Sequence, residues 1–411
     1  MRIQKAVMAA AIAAAFATPA AFADVTISGA INMGIEYVHS NDGSLSSGGT
    51  SNFGLSNNYS NVTISSVEDL GGGLKLDFAF QIQTANDTAG GNLTNRNSHI
   101  GLVGESWGGF WYGSNENIYE RYFYTIDPLD GAYGLGGNLQ MLGTPGGQVF
   151  ANDANCNFLG VPGSADHACG WSWYRRDSNA VWYDSPNFNG FTFGAAVGLN
   201  EGRPDVPDIN PWMWQIGAKY VGPAIPVQLW AAYGHRKDQF GLAGFANSSA
   251  SPSISAVAPT NADGSKDTAF QLGAAYTLAD ITVFANFERI KYTLDGVPGG
   301  ELDSWRRNAF SVGLKWVLPT GYVGAQYIQA LDAKCGLSGG GSCTADSDTG
   351  AKMIAASYFH TLSKQTQGYV TLNWLDNKDN GTYGVAGVGV ANNFAPGTTI
   401  WAIGVGLKHS F

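Results

Sequence analysis

Three sets of side chains in this sequence could do chemistry. The first lies between Ser114 and Arg176, where Glu116, Glu120, Asp127, Asp130, Asp153 and Asp166 accompany Arg121, Arg175 and Arg176. Carboxylates and guanidiniums gathered on one segment can set the charge of a passage, acidic rings favouring cations and basic rings favouring anions. The second set is the cysteines, Cys156 with Cys169 and Cys335 with Cys343, each pair close in sequence. In an oxidising compartment they predict two loop disulfides, and in a reducing one four free thiols. The third set is the six histidines, His39, His99, His167, His235, His360 and His409. A hydrolase would need a Ser and a His brought together with an orienting acid, and no nucleophile-elbow GxSxG is present. There is no P-loop, and the Gly-x-Gly runs open no helix. Without CxxC spacing no metal site is expected, and Asp346 and Asp348 are a nonspecific calcium pair at most. Neither a cofactor nor an enzyme activity is expected.

The elements that would position these residues are legible from the N-terminus onward. Arg2 and Lys5 precede an apolar stretch, Ala6 to Ala17, and then Pro19 and the small-x-small ending Ala21-Phe22-Ala23. This predicts a secretory signal peptide over 1–23, with one domain over 24–411. The apolar stretch is shorter than the roughly 20 residues a membrane helix needs. No comparable run follows, so the remaining chain is either soluble or crosses a membrane as a closed barrel, where every backbone group is paired. With 12 Trp, 18 Tyr, 21 Phe and 56 Gly but only 13% charged residues, the composition suits a surface facing lipid. A net charge of −10 argues against a nucleic-acid partner.

Apolar residues recur with a period of two. Leu74, Leu76, Phe78, Phe80 and Ile82 alternate with Lys75, Asp77, Ala79, Gln81 and Gln83. Phe310, Val312, Leu314, Trp316 and Leu318 alternate with Ala309, Ser311, Gly313 and Lys315. Sixteen such segments predict strands over 24–38, 58–68, 73–84, 96–104, 109–115, 176–184, 190–200, 212–221, 225–236, 267–278, 280–293, 304–318, 321–331, 350–361, 366–376 and 397–411. Connections alternate short and long, the long ones including 39–57, 116–175, 237–266, 332–349 and 377–396. Short turns on one rim and long loops on the other are the arrangement of an outer-membrane barrel. Tyr37, Tyr183, Trp212, Trp316 and Trp401, near strand ends, read as interface girdle residues.

Three stretches carry a family resemblance: Asp24-Val25-Thr26-Ile27-Ser28-Gly29, Glu68-Asp69-Leu70-Gly71-Gly72-Gly73-Leu74-Lys75, and Tyr183-Asp184-Ser185-Pro186-Asn187-Phe188-Asn189-Gly190-Phe191. Together with Asn95 to Leu102 and the terminal Gly406 to Phe411, they resemble the Gram-negative general porins of the neisserial and burkholderial type. The resemblance implies an all-β, sixteen-stranded antiparallel transmembrane barrel with short periplasmic turns and long extracellular loops. It further implies a third long loop, 116–175, folded inward to narrow a diffusion pore, and a homotrimer among outer-membrane lipids. The C-terminal Phe411 resembles the signal read by the outer-membrane assembly machinery.

Such pores carry a basic wall opposite the inward loop. Arg176 matches one basic position and is in phase with Ser178 and Ala180, towards the lumen. Arg96 matches another, although simple alternation groups it with the outward Ile100 and Leu102. Asn61, Ser65 and Ser114 are neutral where the family often has Arg. With Glu116, Glu120, Asp127 and Asp130 opposed by Arg96, Arg121, Arg175 and Arg176, the sequence predicts a porin of weak or cation-leaning selectivity. The aromatic loop residues Tyr119, Tyr122, Phe123, Tyr124, Tyr133, Trp171, Trp173 and Tyr174 are either a stacking surface for a sugar or aromatic acid or packing against the wall. A solute-specific channel and a non-conducting surface adhesin are the competing functions.

Overall fold

A computed structural model describes residues 24–41, 49–84, 94–124, 127–129, 134–144, 173–174, 176–198, 212–238, 264–293, 302–340, 347–385 and 395–411. Eighteen strand segments form one antiparallel sheet that closes on itself. They are β1 (Thr26–Ser40), β2 (Ser51–Asn57), β3 (Asn61–Gly71), β4 (Leu74–Gln83), β5 (Thr94–Gly104), β6 (Gly108–Glu116), β7 (Arg176–Asp184), β8 (Phe191–Gly198) and β9 (Trp212–Val221). The second half adds β10 (Val227–Lys237), β11 (Lys266–Leu278), β12 (Ile281–Thr293), β13 (Leu302–Leu318), β14 (Gly321–Ala330), β15 (Lys334–Leu337), β16 (Ala351–Thr361), β17 (Thr366–Asn377) and β18 (Thr399–Ser410).

These segments make sixteen staves. β2 and β3 both pair with β1, along its upper and lower halves, so they form one interrupted stave. β14 and β15 likewise both pair with β13. The barrel closes between β1 and β18, from Ala30 opposite Ser410 to Ser40 opposite Ile400. Closure leaves no sheet edge, which is what lets strands cross lipid. Two predicted loops are therefore shorter than expected. Ser51–Asn57 continues the ladder beside the outer half of β1, with Leu55 opposite Ile35 and Phe53 opposite Tyr37 and both exposed, and Lys334–Leu337 continues it beside the start of β13.

The alternation has its expected consequence. Ile31, Ile35, Leu272, Val283, Val312, Leu314, Ile354 and Val405 point outward and are exposed, as are the girdle residues Trp316 and Trp401. Trp401 packs against Tyr37 with ring centroids 5.1 Å apart. The turn between β3 and β4 needs three successive glycines with positive φ, Gly71 at 85°, Gly72 at 64° and Gly73 at 81°, a conformation costly for other residues.

The barrel interior is filled from one side by the third long loop. Its described part begins with a short helix, α1 (Ile118–Tyr124), followed by a 3₁₀ turn at Asn138–Gln140. Tyr119, Leu129, Leu135, Leu139, Met141, Leu142, Trp173 and Tyr174 are buried against wall residues including Ile290, Tyr292, Ile328 and Met353. Ile118 and Tyr122 pack with Trp182, Ala196, Met213 and Trp230. Polar wall residues hold the loop backbone: Gln326 Nε2 donates to Gly136 O at 2.6 Å, and Asn373 and Gln271 donate to the carbonyls of Leu135 and Tyr119. The signal segment 1–23 lies outside the described residues.

Candidate pore constriction

Two strand irregularities build the charged centre. On β5, Asn95 faces Ile82 and Ser98 faces Phe80, so Arg96 and Asn97 together oppose Gln81 alone. Such a bulge adds one residue to a strand and re-aims its side chains. It resolves the phase of Arg96, which joins the polar inner face. Its Nε donates to Gln81 Oε1 at 3.1 Å and its Nη1 to Gln83 Oε1 at 2.8 Å. On β7 the register shifts again between Asp177 and Ala180, with Asn179 at φ 53°, and sets Arg176 opposite Glu116.

The two arginines converge on one carboxylate. Arg176 Nη2 donates to Glu116 Oε1 at 2.8 Å, and Arg96 Nη2 lies 3.7 Å from the same oxygen. Arg176 Nε donates to Asn97 Oδ1 at 2.8 Å and Nη2 to Tyr59 Oη at 3.1 Å. Tyr59, at φ 78°, interrupts the β2–β3 stave, and its ring lies 3.6 Å from the Arg96 guanidinium carbon. Tyr59, Asn97, Gln81 and Gln83 were not singled out in the sequence. The two glutamines could have been, since they share the inward phase of β4; Tyr59 carries no local signal.

The remaining predicted residues do other work. Arg121 leaves α1 to form a two-pronged pair with Asp184, at 2.8 and 3.2 Å. Glu120 is buried, its backbone N–H accepted by Asn117 Oδ1 at 2.8 Å. Asp127 is buried and accepts the Leu129 N–H at 2.9 Å. Asp130 and Arg175 lie outside the described residues. Both acids are buried beside the loop, and the Asp127 carboxylate is engaged by the loop backbone. Glu116 is outnumbered by guanidiniums. Lys75, Lys219, Lys315 and Lys408 share the inward phase of their strands towards the short-turn rim.

A second charged group anchors the loop. Glu288 and Arg307, fully buried, pair at 2.9 Å across β12 and β13. Glu288 Oε2 also accepts Tyr119 Oη at 2.8 Å and the Gly143 N–H at 2.7 Å, while Arg307 donates to the carbonyl of Thr144. Arg236 stacks 3.9 Å from the Trp173 ring. Burial pushes the Tyr119 and Tyr174 phenols well above their ordinary range, reinforced at both by the Glu288 carboxylate, so they remain neutral hydrogen-bonding groups.

Among the described residues no cluster of His, Cys, Asp and Glu could hold a metal. Cys335 is not a free thiol, whereas Cys156, Cys169 and Cys343 lie outside the described residues.

A closed sixteen-stave barrel narrowed by an inward loop defines an outer-membrane channel protein. The chain belongs to the Gram-negative porin family, whose model matches residues 9–380. An outer membrane porin protein of Bordetella pertussis is 26% identical over 465 aligned positions, and porin protein 32 of Delftia acidovorans is 25% identical over 419, each alignment spanning all of both chains. The fold superposes on an anion-selective porin from Comamonas acidovorans with a TM-score of 0.70, at 22% identity, covering 95% of this chain and all of the other. OmpT of Vibrio cholerae gives 0.61 at 11% identity, covering 96% and 99%. Membership places the protein in the outer membrane and among channels rather than enzymes.

Proposed function

We propose that this protein is a diffusion channel for ions and small hydrophilic solutes with a weak preference for anions. The observation that carries the preference is the convergence of Arg96 and Arg176 on the single carboxylate of Glu116. This reading departs from the weak or cation-leaning expectation, which counted Glu116, Glu120, Asp127 and Asp130 as pore charges, because two guanidiniums meet the one carboxylate of Glu116 at the charged centre. The name of the similar Comamonas porin, anion-selective, points the same way. The burial of Tyr119, Tyr122, Trp173 and Tyr174 favours packing over a solute-stacking loop, and so a diffusion channel over a solute-specific one.

The same reading includes export through a signal peptide over 1–23, assembly guided by the terminal Phe411 strand, and a homotrimer in the lipid of the outer membrane. One structure similar to this chain is described as a trimer form of OmpT. Cys335 would pair with Cys343 and Cys156 with Cys169, which peptide mass spectrometry without reduction tests. The primary experiment is the zero-current potential across a planar bilayer under a potassium chloride gradient. Stepwise conductance with a chloride-favouring potential is expected. A potassium-favouring potential would overturn the selectivity, and folded protein without conductance would overturn the channel.

A further inference from the structure

The outer wall of β11–β15 carries a concentration of positive charge that the pore does not use. Lys291 on β12 lies directly opposite Arg306 on β13, and Arg306 lies directly opposite Lys334 on β15. All three are exposed and alternate with buried inward neighbours, Ile290, Tyr292, Trp305 and Arg307. They therefore stand in one row on the outside of the barrel. Adjacent strands are about 4.8 Å apart, so the row spans about 10 Å. Arg289, two residues below Lys291 and also exposed, faces Asn308.

The placement of this row is specific. Two residues further down, Phe287 faces Leu272 on one side and Phe310 on the other, and Leu272 and Phe287 are exposed to lipid. Arg289 thus stands level with the exposed Phe270 that faces it, and the row of three cations begins about 7 Å above that level, from the rise of two residues, on the side of the long loops. Like charges directly opposite on neighbouring strands repel each other, and none of these four side chains has a carboxylate partner among the described residues. The nearby Asp332 is held by Lys378 at 2.6 Å. In a chain of net charge −10, this row is a local reversal of sign. A hollow lined by Arg289, Arg306, Asn308, Gln329, Asp332 and Lys334 opens beside it. Gln329 accepts from Tyr327 Oη at 2.9 Å, which leaves its amide nitrogen as a donor.

We infer that this face binds the phosphorylated headgroup of an outer-leaflet lipid, with its acyl chains on the apolar belt below. Clustered Lys and Arg just outside a membrane-spanning segment recognise anionic lipid headgroups. Here one bridging anion would relieve three mutually repelling cations, and the hydrophobic contact with Phe287 and Leu272 selects a lipid over a free ion. The site is separate from the pore, and the inference does not depend on selectivity.

The test uses detergent-purified protein of full length and diphosphoryl lipid A, with the same lipid freed of both phosphates as the control. Lipid retained per barrel is read by native mass spectrometry. Wild type is expected to retain the phosphorylated lipid and to lose it at least tenfold in a variant carrying Lys291→Gln, Arg306→Gln and Lys334→Gln. Single-channel conductance of the same preparations should be unchanged, which shows that the barrel is folded and separates this result from the channel reading. If the triple variant does not fold, Arg306→Gln alone replaces it, with a smaller loss expected. Equal retention of both lipids, equal retention by wild type and a folded variant, or displacement by millimolar inorganic phosphate would each overturn the inference.

Discussion

Arg176 Nη2 and Glu116 Oε1 lie 2.8 Å apart across β6 and β7, directly opposite in the ladder. That pair, with Arg96 against the same oxygen, turns a wall containing an acid into one of net positive charge. Tyr59 lies over Arg96, and both arginines are largely buried, so their charge reaches a passing ion through the field rather than by contact.

Replacing Glu116 by Gln removes the counter-charge and should increase the anion preference, while Arg176→Gln should shift the potential towards cations. In a water-filled passage a unit charge about 8 Å from the ion contributes roughly 0.5 kcal/mol, or about twofold in relative permeability. The zero-current potentials of the two variants should therefore move in opposite directions from wild type. Movement in the same direction would show that the cluster does not set selectivity.

The buried Glu288–Arg307 pair makes a second prediction. Glu288→Ala would leave Arg307 uncompensated and would release Tyr119 and the Gly143 N–H together. Breaking a buried pair from one side typically costs about 3–5 kcal/mol, whereas replacing both partners with apolar residues costs much less. The single variant should unfold at lower temperature by circular dichroism and show noisier, larger conductance steps as the loop loosens. Glu288→Leu with Arg307→Met should recover much of the stability.

The strand plan was legible because lipid on one side and water on the other impose alternation on nearly every stave. Strands 176–184 and 212–221 appear at their expected bounds. Alternation fails where the ladder itself is irregular. Arg96 was out of phase because the bulge between Asn95 and Ser98 lies in backbone geometry, and β2 was hidden because only Phe53 and Leu55 carry its alternation, among Ser, Asn and Gly residues that read as a loop. The loop anchors escaped for another reason. Glu288 reaches Tyr119 across 169 residues, and no local pattern encodes such a contact. The Asp127 carboxylate, by contrast, makes a local contact, accepting the N–H of Leu129 two residues on.

Gly324 gives a steric test of loop docking. A Cβ at this position would fall inside contact distance of Pro128 O and close to the Leu129 side chain at 2.8 Å. The loop approaches the β14 wall that closely because glycine has no side chain. Gly324→Val should displace the 127–129 segment while leaving the strand ladder intact. The expected result is an unchanged β-signal in circular dichroism with altered single-channel conductance. Unchanged conductance would mean that this segment does not help define the passage.

Tyr122 supplies the pH dependence. Burial raises its phenol to about 12, and the Asp184 carboxylate adds to the shift. In the undocked loop the phenol would titrate near 10. The folded form therefore holds its proton more tightly, and the stability this confers is complete below about pH 10 and is lost as pH rises towards 12. Tyr383, buried elsewhere in the chain, is also raised to about 12, so the wild-type titration alone does not isolate Tyr122. Tyrosinate absorbance of Tyr122→Phe should lack one late-titrating component. The substitution also removes a 3.4 Å hydrogen bond to Gly217 O, a loss of about 1 kcal/mol at neutral pH. Above pH 10 the stability difference between wild type and variant should narrow and then reverse, because the variant has no phenolate to bury. A difference that stays constant from pH 8 to 12 would show that Tyr122 is exposed to solvent and that α1 is not docked on the wall as described.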